Sequence, residues 1–263
     1  MRLPRQPQPQ YKKTAPAGGA GLDRPAYAVV HSRDYDFDST TMRANGRTMT
    51  CAALNALCLC TSTWGLWRAT EVRLPASLAG AGHRQFLTIL AVVATIITNV
   101  ANLGALAAGG ARARRAARQV ALPVALVVET VVAVVYWPLR LFALPLIMHD
   151  VKDGSRMPLA VSVDCAVHLA PVVLLGADYA LVEQRPFEMS LGRAWVVVTA
   201  LGLGYRRYLE TMVDRAGGAA YPYPFLDVAE PYQSGIFVVV TTAAWAVFWG
   251  YKKVHAGRAS GRT

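Results

Sequence analysis

Three side chains in this sequence have types and positions that suit acyl-transfer chemistry. Asp164 precedes His168 by four residues, so on a helix the carboxylate and the imidazole lie on one face. A carboxylate at that spacing holds an imidazole in one tautomer, as it does in hydrolytic triads. Thr88, in the stretch HRQFLTIL, lies just inside a long apolar segment and offers a hydroxyl that such a base could activate.

The same residues also have a structural interpretation. A threonine in an apolar helix commonly bonds back to a carbonyl of its own helix, and a buried histidine commonly hydrogen-bonds to a neighbouring helix. Taken alone, the spacing of Thr88, Asp164 and His168 leaves catalysis and helix packing both open, and packing is the commoner of the two.

Two further carboxyl groups, Glu129 and Asp178, fall inside apolar segments. Ionisable groups are costly there and are functional hypotheses by default. Glu129 suits a proton or ion path or a buried hydrogen-bond anchor, whereas Asp178 lies near a segment end and can reach lipid headgroups. With Asp164 these residues would form the pathway of a transporter or channel, which is a second hypothesis. A non-enzymatic membrane scaffold, in which His168 only pairs helices, is a third.

The elements that position these residues are apolar blocks long enough to cross a bilayer. Only 16% of the 263 residues are charged, whereas about a quarter is usual for a soluble domain. A spanning helix needs about 20 apolar residues. The sequence therefore predicts an all-α, polytopic membrane helix bundle with about six transmembrane helices, at residues 48–67, 86–108, 120–137, 159–181, 194–209 and 235–251.

Lysine and arginine counts predict the orientation of these spans. The segments on the side of the termini carry 18 of these residues and the opposite loops carry 9, which favours an N-in/C-in topology. We expect residues 1–47 to form a basic, disordered cytosolic tail, residues 48–253 the six-helix domain and residues 254–263 a basic C-terminal tail. This topology places Thr88 and His168 in the same leaflet, where they can meet.

Composition and motifs exclude several other classes of protein. The net charge of +11 is spread over loops and tails, a pattern typical of contact with anionic headgroups rather than nucleic acid, and no nucleic-acid-binding motif occurs. The sequence has no G-x-S-x-G, H-E-x-x-H or C-x-x-C motif. We therefore predict no metal and no cofactor, and we interpret the cysteines as small membrane-buried residues: Cys51, Cys58, Cys60 and Cys165.

Four short motifs, in this order and spacing, carry a resemblance to a known family. They are HRQFLTIL, VVYWPL, DCAVHLAPVVLLGADY and YPYPFLDV, and the likeness covers roughly residues 50–253. The series resembles the androgen-induced protein and androgen-dependent TFPI-regulating protein family. Its members are multi-pass membrane threonine hydrolases that cleave fatty acid esters of hydroxy fatty acids.

The resemblance implies roles for individual residues. Thr88 would be the nucleophile and His168 the base, and Asp178 matches an acidic residue ten positions after that histidine. The substrate would be a fatty acyl ester among the membrane lipids. The sequence shows no oxyanion hole; the candidate donors are backbone N–H groups near a helix end, or a side chain such as Tyr136 or Trp137.

Other features refine what the resemblance implies. Tyr223, in the YPFL stretch, would cap the site from a non-cytosolic loop, although a purely structural turn is an equal interpretation. Asp164 and Cys165 replace the Asn and His of metazoan members, and Pro171 comes two residues early, so the chain resembles a distant branch.

Short fifth and sixth spans suit a thin bilayer, which favours the endoplasmic reticulum or another endomembrane.

Overall fold

A computed structural model of the chain describes residues 32–149, 159–183 and 185–260, with side chains between 45 and 255. The description that follows concerns the unit Met42–Thr263. Its described residues form helices joined by turns and contain no strand. The helices are α1 Ser32–Thr70, α2 Leu87–Ala108, α3 Ala111–Phe142, α4 Val161–His168, α5 Ala170–Leu181, α6 Leu191–Met212 and α7 Tyr232–Ser260.

Within the described residues, five helical segments are long and apolar enough to cross a membrane. They are Asn45–Thr70, Leu87–Ala108, Ala111–Phe142, Val161–Leu181 and Tyr232–His255. Large apolar side chains also point outward from the bundle: Ile97 is 60% exposed and Val239 is 67% exposed. Outward apolar surface of this kind belongs in lipid, so the chain is an integral, multi-pass membrane protein.

The fifth predicted span forms a helix that is long enough to cross a membrane but is not apolar enough. Helix α6 has 22 residues, which is long enough to cross a bilayer. Its last turns carry Arg206, Arg207 and Glu210, and these charges lower its apolar character. Five segments, not six, therefore satisfy length and composition together, and α6 packs along α7 beside them.

A glycine ends α2 and lets the chain turn into α3. Gly109 has a φ of +67°, in the left-handed region that favours glycine after a helix. Helix α3 starts two residues later and packs along α2. Its first part contains a π-helical turn at Ala117–Ala121.

The fourth span is broken in its middle, beside His168. Helix α4 ends at His168, Leu169 leaves the helical region with a φ of −130°, and α5 begins at Ala170. The cause is Pro171, which has no N–H to donate and whose ring collides with the carbonyl four residues earlier in a continuous helix. The break places His168 at the end of a helix, where its backbone carbonyl is available to other partners.

A small apolar cluster packs between the helices that carry the candidate catalytic residues. Ala69 of α1, Val92 of α2, and Val163 and Val167 of α4 pack on one another. Helix α1 approaches α4 closely at Gly65, where a Cβ atom would lie 2.9 Å from side-chain atoms of the facing helix. These contacts fix the start of α2 against the end of α4.

The predicted tails are covered only in part. Residues 1–31 and 261–263 lie outside the described residues. The described parts of the predicted tails are helical, because α1 begins at Ser32 and α7 continues to Ser260. The division into tails and membrane domain and the N-in/C-in orientation stay predictions.

Candidate active site

The structure brings Thr88, His168 and Asp164 into one hydrogen-bonded chain. The Thr88 hydroxyl oxygen lies 3.2 Å from Nε2 of His168. On the other side of the ring, Nδ1 lies 2.9 Å from Oδ1 of Asp164. Because the carboxylate can only accept, it fixes the proton on Nδ1 and leaves Nε2 as the acceptor facing the threonine hydroxyl. This is the arrangement of a nucleophile, a base and an orienting acid.

Helix ends position each member of this chain. Thr88 is the second residue of α2, and its hydroxyl contacts His168. The carbonyls three and four residues earlier, of Gln85 and Arg84, accept from the hydroxyls of Tyr205 and Tyr208. Thr98, a buried threonine later in the same helix, bonds back to the carbonyl of Ala94 at 2.8 Å. The structural interpretation of Thr88 as a back-bonded helix residue therefore does not hold, whereas it does hold for Thr98.

Asp164 is fully buried and is held by two groups from the end of α3. The Tyr136 hydroxyl donates to Oδ1 at 2.5 Å. The Nε of Arg140 lies 2.5 Å from Oδ2 but its N–H is not aligned with that oxygen, so this contact is an ion pair rather than a hydrogen bond. Together these groups keep the carboxylate charged and fixed beneath the imidazole.

Two aromatic residues of α3 fix the histidine ring and its backbone. The Tyr136 ring stacks on the imidazole with centroids 3.5 Å apart. The Trp137 indole N–H donates to the His168 carbonyl at 3.2 Å, which satisfies a carbonyl at the helix break. Arg140 lies over the Trp137 ring, 5.3 Å from its centroid. The histidine is thus held by side chains on both ring nitrogens, one face and its carbonyl.

Tyr223 covers the other side of Thr88 from the loop before α7. Its ring packs edge-on against Phe86, 5.7 Å between centroids, and its hydroxyl faces the Thr88 side chain and the backbone N–H groups of Leu87 and Thr88. Burial raises the pKa of the Tyr223 phenol, and those polar contacts lower it by less. The phenol therefore stays protonated at ordinary pH and remains a hydrogen-bond donor.

An apolar cavity of about 160 Å³ opens onto Thr88. Thr88, Tyr136 and Tyr223 line one end, and α3, α6 and α7 form its walls. Val124 and Phe248 line the far end. Val124 and Tyr136 are twelve residues apart on α3, which corresponds to about 18 Å along the helix.

Two of the predicted site residues lie elsewhere. Glu129 is buried seven residues before Tyr136 and accepts a hydrogen bond from Thr95 at 2.7 Å. Asp178 is about 15 Å along the helix from His168 and pairs with Arg118 at 2.5 Å. Asp164, Tyr136, Trp137 and Tyr223 surround Thr88 and His168 as a group, whereas Glu129 and Asp178 belong to other parts of the bundle.

Sequence reasoning missed Arg140. Arg140 directly follows the VVYWPL motif, and arginines near the end of a predicted span are ordinary interfacial cations. The sequence did contain a signal for the Arg140–Asp164 pair. Arg140 lies near the end of one predicted span and Asp164 just inside the next, so both fall on the same side of the membrane.

Comparison with known proteins agrees with the motif-based resemblance. Residues 50–255 match the family described as FAR-17a/AIG1-like protein. The chain is also 48% identical over 210 residues to the UPF0641 membrane protein YHR140W of Saccharomyces cerevisiae (strain ATCC 204508 / S288c), which covers 76% of this chain and 88% of that protein. No solved structure matches the chain.

The matched residues 50–255 contain all four motifs and every residue of the Thr88 site. The resemblance predicted from those motifs, to the androgen-induced family, is confirmed. This chain belongs to the FAR-17a/AIG1-like protein family.

Proposed function

We propose that the protein is an intramembrane lipid ester hydrolase that uses Thr88 as nucleophile and His168 as general base. The observation that carries the proposal is the 3.2 Å contact between the Thr88 hydroxyl and Nε2 of His168, at the mouth of an apolar cavity. A general base must lie within hydrogen-bond reach of the proton it removes, and this pair does. The family resemblance supports the same two roles.

The first half of the reaction forms an acyl-threonine. Nε2 of His168 accepts the hydroxyl proton while the Thr88 oxygen attacks the ester carbonyl carbon. The tetrahedral intermediate then collapses, and the imidazolium returns the proton to the departing alcohol oxygen. Asp164 stays ionised throughout and stabilises the imidazolium.

The second half releases the fatty acid. Water attacks the acyl carbonyl, His168 accepts its proton, and the proton returns to the Thr88 oxygen as the acyl–oxygen bond breaks. The net reaction consumes one water and yields one carboxylic acid and one alcohol. No cofactor takes part in these steps.

Donors for the developing oxyanion are available at the start of α2. The first N–H groups of a helix lack intrahelical partners, and here those of Leu87 and Thr88 face the Tyr223 hydroxyl. A protonated phenol that faces these two N–H groups is suited to donate its own hydrogen to a carbonyl oxygen beside Thr88. Tyr223 takes this role better than Tyr136, whose hydroxyl already donates to Asp164.

The cavity indicates the part of the substrate that it binds. Its lining is almost entirely apolar, which suits a hydrocarbon chain. An extended chain advances by about 1.25 Å per carbon, from a carbon–carbon bond of about 1.5 Å at a near-tetrahedral angle. A length of about 18 Å corresponds to about 14 carbons, and the enclosed volume of about 160 Å³ holds only part of such a chain, so the remainder would extend between the helices into the lipid. The proposed substrate is a long-chain fatty acyl ester, as in fatty acid esters of hydroxy fatty acids.

The experiment is a hydrolysis assay on the purified full-length protein in lipid nanodiscs, with a fatty acid ester of a hydroxy fatty acid as substrate. Thr88→Ala should lower kcat by about 10³-fold or more, because it removes the nucleophile. Thr88→Ser keeps the hydroxyl and should retain measurable turnover. Thr98→Ala is the matched control, because it removes a buried hydroxyl from the same helix and should leave kcat unchanged. Wild-type turnover by Thr88→Ala would overturn the proposal.

A further inference from the structure

A second cavity lies at the opposite end of the bundle from Thr88. It has a volume of about 780 Å³ and a polar lining. Its walls come from residues 47–51 of α1, the end of α2, the first turns of α3 and the segment after α5. None of its lining residues takes part in the proposed hydrolysis.

The lining of this cavity is rich in arginine. It contains five guanidinium groups, and the acidic groups among or directly behind them are three in number: Glu183, Glu188 and Asp178. The net charge of these eight groups is +2, which balances the charge of about −2 on a phosphate monoester. The arginines are Arg47, Arg114, Arg115, Arg118 and Arg185.

Arg118 is the central group, and it is incompletely satisfied. The residue is 8% exposed, and it pairs with Asp178 at 2.5 Å and with Glu183 at 3.2 Å. Its Nη2 is buried and has no hydrogen-bond partner among the described residues. Leaving a buried donor of a charged group unpaired is costly, so a ligand that accepts from it gains a strong contact.

Gln119, the next residue, also has a buried side-chain donor without a partner among the described residues. Gln119 is 5% exposed; its side-chain oxygen accepts from the Glu188 backbone N–H at 2.9 Å. Its Nε2 is buried without a partner in the described part of the chain. Both residues lie in the π-helical turn Ala117–Ala121, and such turns occur often at functional sites.

We infer that this cavity binds a phosphate group, held by Nη2 of Arg118 and Nε2 of Gln119 inside the ring of arginines. A guanidinium presents several donors in a fixed fork and suits phosphate oxygens better than a single ammonium does. The site lies at a bundle end, at the depth where basic pockets between helices bind lipid headgroups. A phospholipid headgroup and a soluble phosphate ester share this chemistry.

The test measures thermal unfolding of the purified full-length protein with defined probes. The soluble probes are inorganic phosphate and glycerol phosphate, with acetate at matched ionic strength. The membrane probe is a phosphatidylcholine nanodisc that contains phosphatidic acid, compared with phosphatidylcholine alone. We expect a rise in Tm with phosphate-bearing probes and not with acetate, because binding to the folded state stabilises it. A rise only in the nanodisc arm identifies a lipid headgroup, and a rise with glycerol phosphate identifies a soluble ligand.

Two variants assign the effect to this cavity. Arg118→Lys keeps the charge but removes the forked donors, and it should weaken binding about 10-fold or more. Arg114→Gln alters an exposed lining residue, whose Nη2 donates to the Gly109 carbonyl at 3.3 Å on the surface, so it tests the site even if the buried variant fails to fold. Arg73→Gln, an exposed arginine at the other end of the bundle, is the control with the same charge change.

Several results would overturn the inference. One is the lack of a Tm rise with every phosphate probe, and another is an equal rise with acetate. A third is a rise that Arg114→Gln and Arg73→Gln reduce to the same extent, since this would reflect net charge alone.

Discussion

At the scale of single residues, His168 is held at both ring nitrogens, one ring face and its carbonyl. Asp164 accepts from Nδ1, the Tyr136 ring covers one face, and the Trp137 indole N–H bonds to the His168 carbonyl. Pre-arranged groups of this kind need little rearrangement at the moment of reaction. Under the proposed function, this arrangement accounts for the buried polar groups at the start of one span and the middle of another.

The orienting role of Asp164 gives a residue-scale prediction. Asp164→Asn replaces an acceptor by an amide that can hold the wrong tautomer, and it should lower kcat about 10²- to 10⁴-fold with little change in KM. The measurement is steady-state hydrolysis of a long-chain ester, together with Tm. Glu210→Gln is the control, because it also breaks a carboxylate–arginine pair, with Arg207 at 2.6 Å, but on an exposed surface of α6. Wild-type kcat in Asp164→Asn would exclude the proposed role.

The sequence allowed part of this residue-scale picture to be predicted. Asp164 and His168 share a helix face by spacing alone, and the contact follows directly. The roles of Tyr136 and Arg140 toward Asp164 depend on how closely α3 approaches α4, which no local pattern encodes. For the same reason Glu129 was indistinguishable from a site residue, although it bonds to Thr95 in a different part of the bundle.

At the scale of helices, two local features set the depth of His168. The sequence left the start of the fourth span open, and a start at residue 159 would have put the histidine deeper than Thr88. The helix begins at Val161, and Pro171 ends its first segment at His168. Boundaries of this kind are poorly specified by apolar periodicity, because neighbouring apolar residues fit either start.

Close packing of α1 against α4 gives an element-scale prediction. Gly65→Ala would place a Cβ atom 2.9 Å from Ala166 and Val167, directly before His168. Overpacking of this kind costs about 1–3 kcal/mol, and relief by a shift of α4 would lengthen the contact between His168 and Thr88. We expect a lower Tm and a kcat reduced about 10-fold or more, by the sensitivity of catalysis to misplacement.

Gly104→Ala provides the matched control for this change. A Cβ at that position of α2 meets nothing within 4 Å, so Tm and kcat should stay the same or rise slightly. Equal behaviour of the two alanine variants would show that the approach of α1 does not position the histidine.

At the scale of the whole molecule, the bundle separates an apolar cavity from a basic one. The apolar cavity reaches Thr88 at one end, and the arginine-rich cavity lies at the other. The all-helical, apolar character was predictable from block length and composition, whereas six spans were predicted and five described segments satisfy both length and composition. The cavities were not, because they depend on how α3, α6 and α7 pack. The charges at the end of α6 were visible in the sequence, but its place beside the spans was not.

The length of the apolar cavity gives a whole-molecule prediction. Val124→Phe fills its far end, so kcat/KM for esters with an acyl chain of about 16 carbons should fall about 10-fold or more relative to chains of about 8 carbons. Val120→Phe is the control, because Val120 lies on the same helix and is 58% exposed on the outside of the bundle. The comparison of the two chain lengths is made in one nanodisc preparation for each variant. An unchanged ratio in Val124→Phe would place the acyl chain elsewhere.

The most direct test of the central claim is to identify the residue that becomes covalently modified. The purified protein is treated with a fluorophosphonate probe, digested, and mapped by mass spectrometry. We expect the adduct on the Thr88 hydroxyl, its loss in Thr88→Ala and in His168→Gln, and its retention in Thr98→Ala. An adduct on any other residue, or labelling that persists in Thr88→Ala, would contradict the assignment of Thr88 as the nucleophile.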